Sequence, residues 1–222
     1  EILIVHSKNE QQKNASNQVQ TARIMANGDL LYHDGLYMSA LQADGSYDFT
    51  ENFTYVKPWL KQADLVLGDF EGTINPDYPL SGYPLFNAPQ SVTAAIKDAG
   101  YDVMDLAHNH ILDSGLEGAF TTADALKKVG IDPIGVYEKP VRDKAPLLIK
   151  NVNGIKVAIL SYAYGYNGLE SNLTDKEVAD HLSNLDEKRM KSEIQRAEKE
   201  ADITVIMPQM GVEYRLEPTD EQ

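Results

Sequence analysis

The sequence predicts an α/β fold built on a mainly parallel sheet covered on both faces. Three observations lead there: short apolar runs alternate with helix-patterned segments, several runs end in Gly-Asp or a polar turn, and Gly or Pro marks the helix ends. At 222 residues the chain has length for one such domain with a real core.

The elements follow in order. RIMANGDL (23–30) reads as a buried strand feeding a loop at Gly28-Asp29. FTYVKPWLKQA (53–63) reads as a helix around Pro58, and DLVLGDFEGT (64–73) as a second strand that again releases at Gly-Asp. In APQSVTAAIKDAG (88–100), residues Pro89 to Ser91 start a helix and Gly100 stops it. YDVMDLA (101–107) is the third strand and runs directly into HNHILDSG. GLEGAFTTADALKKVG (115–130) sets Leu116, Phe120, Ala123 and Leu126 at helical spacing before Gly130. IDPIGVY (131–137) is a short strand, and APLLIKNVNGIKVAILSYA (145–163) is two strands around Asn153-Gly154, the strongest hairpin signal in the chain. After a polar insertion, DEKRMKSEIQRAEKEA (186–201) reads as a solvated charged helix and DITVIMPQMGVEY (202–214) as the last strand.

Composition narrows the function. With 42% hydrophobic and 24% charged residues the chain is ordinary for a soluble domain, and no apolar run approaches the ~18 residues that span a bilayer. The net charge of −14 argues against nucleic acid or an anionic membrane surface as partner. A polyanionic partner needs a bound cation or a local basic group such as Lys57, Lys61 or Arg142. Cysteine is absent, so disulfide and thiolate chemistry are excluded. Residues 7–20 are polar with no helical stripe, which sets a flexible leader over 1–20 apart from a single domain over 21–222. The first residue is Glu1, so a removed signal peptide or membrane anchor is expected upstream, with a frayed terminus the equal alternative.

In open α/β sheets, sites collect where the carboxyl ends of strands release into loops. Here the first strand ends at Gly28-Asp29 with His33 nearby, the second at Gly68-Asp69 followed by Glu71, the third at His108-Asn109-His110, and the last at Gln209 with Glu213 beyond. Carboxylates and imidazoles together suit Mn²⁺, Fe or Zn²⁺ better than Ca²⁺, and such a metal activates water or polarises an acyl or phosphoryl oxygen. Singly, each feature has a plainer reading: Gly-Asp is a common turn or cap, and loop histidines are often solvated. His6 and His181 read as surface residues. Trp59, Tyr162, Tyr164 and Tyr166 read as packing residues, the tyrosines being placed where they could also line a cleft. The functional case rests on the ordered combination.

That order resembles the CapA-type bacterial capsule synthesis proteins, associated with poly-γ-glutamate, whose fold is related to the calcineurin-like metallophosphoesterases. The stretches that carry the likeness are ANGDLLYHD, ADLVLGDFEGTI, FNAP, AGYDVMDLAHNHILDSGLEG, VGIDPIGV, VAILSYAYG and MPQMGVEY. The resemblance implies a layered α/β sheet fold in which Asp29, Asp69, Asn109 and His110 hold the metal positions. It gives Glu71, His110 and Glu213 acid-base or ligand roles, and leaves His108 unassigned. It also implies a capsule-biosynthesis role on the outer face of the cell membrane, through an N-terminal anchor, with an anionic polymer or capsule assembly proteins as partners. Two departures stand out. Gln209 occupies a position where the family commonly has His, and a neutral amide is a much poorer metal ligand than imidazole. The sequence also stops before a Gly-His-x-His-like segment, so the fold is expected to lack its C-terminal part. A metal-dependent hydrolase or transferase acting on an amide or phosphoester, a non-catalytic polymer-binding or export component, and a phosphoesterase unrelated to capsule are the competing expectations.

Overall fold

The computed structural model describes residues 2–7, 19–141, 144–220 and 222. In chain order these form β1 (Ile2–Ser7), β2 (Gln20–Asp29), α1 (Asp34–Ser39), α2 (Lys57–Leu60), β3 (Leu65–Asp69), α3 (Val92–Ala99), β4 (Val103–Asp105), α4 (Gly115–Lys128), β5 (Asp132–Ile134), β6 (Leu148–Val152), β7 (Ile155–Ala163), α5 (Asp175–His181), α6 (Glu187–Glu200) and β8 (Ile203–Gln209). Within the stretch expected to be a leader, β1 pairs antiparallel with β2. Residues 8–18, Arg142 and the side chain of His6 lie outside the described residues.

The strands divide into two sheets where the sequence suggested one. The first has the order β1-β2-β3-β4-β5 and is parallel from β2 to β5; the second has the order β6-β7-β8. The reason is the hairpin. Asn153 (φ 53°) and Gly154 (φ 87°) both adopt left-handed backbone, so the chain folds β6 antiparallel onto β7, and β8 then adds parallel to β7.

Strand periodicity shows how the layers meet. Leu65, Leu67, Val103 and Ile134 face Val152, Ile155, Val157 and Ile159 of the second sheet. On the opposite face of the first sheet, Val66, Met104 and Leu106 pack with Ile96 and Leu126 of α3 and α4. Ala158, Leu160 and Tyr162 turn the outer face of β7 toward Ala197, Met190 and Ile194 of α6. The result is a helix, sheet, sheet, helix sandwich, in which β3 is buried on both faces and so reads as an unbroken apolar run.

Several local readings need correction. The charged helix α6 is not a fully solvated face: Met190, Ile194 and Ala197 dock on β7, and buried Glu193 accepts from Tyr162 Oη (2.8 Å) and Arg189 Nε (2.9 Å). His181 is half-buried, its Nδ1 2.7 Å from the Tyr137 carbonyl. Trp59 is exposed, while Tyr162 and Tyr166 are core. The helix around Pro58 is the single turn of α2. The polar insertion contains α5, started by a capping box between Thr174 and Glu177. Among the described residues no helix is long and apolar enough to cross a membrane.

Candidate functional site

The pairing register delivers three aspartates to one line. Asp29 lies opposite Asp69, and Asp69 opposite Asp105, at the carboxyl ends of β2, β3 and β4. An irregularity between Ala26 and Asp29 brings Asp29 into that line. Like charges so close cannot all ionise in a poorly solvated place. Burial, then the charges of Asp105, Asp29 and Glu71, pushes Asp69 up to about 9. Burial, followed by a hydrogen bond and the charge of Asp29, pushes Glu71 up to about 8 against the opposing effect of His110. Burial pushes Asp105 up to about 7 even though its Oδ1 accepts the Ala107 N–H at 2.7 Å.

The turn after β4 contributes the imidazoles, and they differ. His108 is fully buried, and its Nδ1 accepts the His110 N–H (3.2 Å), which puts its proton on Nε2. Burial and then the neighbouring His110 drive His108 down to about 3, so it is a neutral core residue. His110 is held by Asp113: Nδ1 lies 2.8 Å from Asp113 Oδ2, which also accepts the Phe86 N–H at 2.6 Å. The other face of the dyad is open to Glu71, with Nε2 3.9 Å from Oε1. Burial pulls His110 down, but the Asp113 bond and charge, then Glu71 and Glu213, outweigh it, and the group is raised overall. Phe86 stacks edge-on between His110 and exposed His33, with both ring centroids 4.8 Å away.

Asn109 is bound into an amide network. Its backbone N–H donates to Gln209 Oε1 (2.6 Å), Gln209 Nε2 donates to Asn109 Oδ1 (2.9 Å), and Asn109 Nδ2 donates to Asn167 Oδ1 (3.1 Å). This ties the end of β4 in the first sheet to the end of β8 in the second. Beside it opens a cleft of about 690 Å³ walled by Asp29, Glu71, Asn109, Tyr164, Gln209 and the 210–218 segment with Glu213 and Arg215.

Every expected site residue therefore reaches this region. Asp29, Glu71, Asn109 and exposed Glu213 line the cleft, Asp69 lies buried beneath, and His110 stands behind Asn109 and Glu71. Sequence reasoning missed Asp113, Asp105 and Asn167. Asp113 had a signal, three residues beyond His110 in the turn; the other two depend on which strands become neighbours. Lys57 and Lys61 are elsewhere: α2 leads into the amino end of β3, and Lys57 is paired with Asp98.

The donor chemistry fits one divalent cation. Asp69 Oδ1 is buried with no hydrogen-bond partner, next to Asp29 and Glu71, and a cation would relieve their repulsion. Among the described residues no three His, Asp or Glu groups already surround a single point, so the fit is one of chemistry rather than preset geometry. The amides fit a second cation poorly, because Gln209 Oε1 already accepts the Asn109 backbone N–H and Asn109 Oδ1 already accepts from Gln209 Nε2.

Two sheets packed face to face and flanked by helices give the chain a layered α/β fold shared with a nucleotidase of known structure. A 5'-nucleotidase from Staphylococcus aureus in complex with alpha-ketoglutarate superposes with a TM-score of 0.53 at 14% identity, covering 87% of this chain and 38% of that one. The family model described as "Bacterial capsule synthesis protein PGA_cap" matches residues 23–222, and the chain belongs to that family. It is 30% identical over 179 residues to the capsule biosynthesis protein CapA of Bacillus anthracis, covering 77% of this chain and 43% of that protein. It is 27% identical over 173 residues to the PGA biosynthesis protein CapA of Bacillus subtilis (strain 168), covering 77% and 45%. The chain thus spans less than half the length of these curated relatives.

Proposed function

We propose that this chain carries a hydrolytic or group-transfer centre of capsule biosynthesis that acts on an amide or phosphoester bond. The observation behind this is the Asp113-held His110, whose Nε2 faces Glu71 at 3.9 Å beside a line of desolvated carboxylates. Asp29, Asp69 and Glu71 are the groups to hold a divalent cation of the Mn, Fe or Zn kind. Such an ion, when bound, supplies charge neutralisation and an acidified water. The chain's own side chains do the rest. Asp113 fixes the imidazole tautomer with a proton on Nδ1. His110 delivers or accepts a proton at Nε2, and Glu71, deprotonated where it holds the cation, sets its charge opposite that nitrogen. Glu213 adds negative charge that favours the imidazolium.

The family supports an anionic polymer as the substrate class, and the chain's own charge sets a condition on it. An anionic polymer such as poly-γ-glutamate meets an acidic chain, so the cation and Arg215 in the cleft supply the attraction that Lys57 and Lys61 are badly placed to give. In the same proposal the chain works on the outer face of the cell membrane, anchored through an upstream segment, among other capsule assembly proteins.

Elemental analysis of chelator-free protein, with turnover of γ-glutamyl amides and small phosphoesters by wild type and His110→Ala, tests this. A stoichiometric transition metal and a loss of about a hundredfold in His110→Ala are expected. A second reading, polymer binding without chemistry, draws on the Asn109–Gln209 pair, which occupies oxygens that metal would use. Protein with no metal and no turnover, but with poly-γ-glutamate binding that survives chelation and His110→Ala, would establish that alternative.

A further inference from the structure

We propose that Asn167 is a ligand-recognising residue of this site, its Nδ2 hydrogens donated to the oxygen of an amide carbonyl or a phosphoryl group beside His110. The proposal rests on the reading of the cleft as the place where such a ligand is bound.

The direction in which Asn167 points is fixed by a chain of donors. A backbone N–H can only donate, so the Asn109 N–H sets the oxygen of Gln209 toward it. The Gln209 nitrogen must then face Asn109 Oδ1, and the Asn109 nitrogen must face Asn167 Oδ1. Turning any of these amides over would set donor against donor. Asn167 Nδ2 is therefore left on the His110 side, 3.5 Å from each ring nitrogen and too far from either for a strong hydrogen bond.

This donor is both presented and available. Asn167 is exposed, whereas its neighbour Tyr166 is buried and donates through Oη to Asn184 Oδ1 (2.7 Å), which anchors the loop. Asn167 has φ 55°, a left-handed conformation uncommon for residues other than glycine, and Gly168 follows at φ 79°. An asparagine present only to make that turn bonds its own nearby backbone. Asn167 instead reaches 58 residues back along the chain to Asn109. Residues held in such conformations beside reactive groups cluster at functional sites. An amide carbonyl and a phosphoryl group both offer the oxygen this donor needs, and they correspond to the two substrate classes left open above.

The test uses the whole chain with Mn²⁺ and two probes, γ-glutamylglutamate and inorganic phosphate, titrated by calorimetry into wild type, Asn167→Gly and Asn167→Asp. Glycine accepts the left-handed backbone, so Asn167→Gly should lose no more melting temperature than its single bond from Asn109 accounts for, and should bind Mn²⁺ as well as wild type. It should bind a probe about tenfold more weakly, as loss of one hydrogen bond implies. Asn167→Asp keeps the shape, lacks the donor and should be weakened at least as much. Weakening with γ-glutamylglutamate alone assigns the amide oxygen; weakening with phosphate alone assigns the phosphoryl oxygen. Wild-type affinity for both probes in Asn167→Gly overturns the proposal, as does wild type that binds neither. A parallel fall in melting temperature and Mn²⁺ affinity also overturns it, since the role would then be structural. Binding that depends on Asn167 in a protein without turnover would instead sink the catalytic reading and leave this one standing.

Discussion

Asp69→Asn isolates the effect of a buried carboxyl on the metal-free fold. Burial, then Asp105, Asp29 and Glu71, raises Asp69 from its ordinary 3.8 to about 9. In the folded chain it holds a proton that the unfolded chain releases. Its contribution to stability is therefore fully present below pH 3.8 and is lost progressively as pH climbs toward 9. At about 1.4 kcal/mol per unit, the wild type loses on the order of 3 kcal/mol through this group between pH 6 and pH 8. Asparagine is neutral throughout and has no such slope. Glu71 and Asp105 titrate in both proteins but lose the Asp69 charge in the variant, so the difference reports the buried carboxyl together with its coupling to them. Urea denaturation in chelator at pH 6, 7 and 8 measures it. Wild-type stability should fall relative to Asp69→Asn by that amount, and Mn²⁺ should restore the wild type but not the variant at pH 8. Parallel pH curves for the two proteins would refute the account of Asp69 and, with it, the cation seat.

Two further outcomes follow from the turn after β4. Asp113→Asn removes the partner that holds His110 and the charge that raises it, so turnover should drop about a hundredfold and the rate limb set by protonated His110 should move to lower pH; a pH–rate profile checks both. In a double-mutant cycle, Asn109→Ala and Gln209→Ala should couple by about 1 kcal/mol, the contribution of the one side-chain bond they share, since Asn109→Ala keeps the backbone N–H that donates to Gln209; additive effects on urea midpoints would show that this bond carries no energy.

What could be read in the sequence was what neighbours along the chain decide. Ser91 and Gly100 bound α3 as expected, Asn153-Gly154 makes its hairpin, and the apolar runs released Asp29, Asp69 and Asn109 at one edge. What escaped depends on distant partners. The split into two sheets follows from how the hairpin's two faces are covered, and nothing within 145–163 states which layer meets which. Helix α6 looked solvated because its mean composition is charged, whereas Met190, Ile194 and Ala197 recur on one side and find β7. Asp105 passed as part of a buried strand, and becomes electrostatically important only because Asp69 pairs beside it. Gln209 looked like a lost ligand. Its partner lies 100 residues away, and in the fold it is the clasp between the sheets.

The amide chain has a chemical lifetime. Its last member, Asn167, is exposed and precedes Gly168, which leaves little side-chain bulk to shield its carboxamide from the following backbone nitrogen. Asparagine in such a setting is among the heat-labile residues, and its hydrolytic ageing replaces the amide by a carboxylate. Where the product is aspartate, the aged residue still accepts from Asn109 but no longer has a hydrogen to offer beside His110. Stored protein would thus differ from fresh at this residue by one mass unit and one donor, and because Asn27 and Asn153 also precede glycine, peptide-level mass measurement before each assay locates the change.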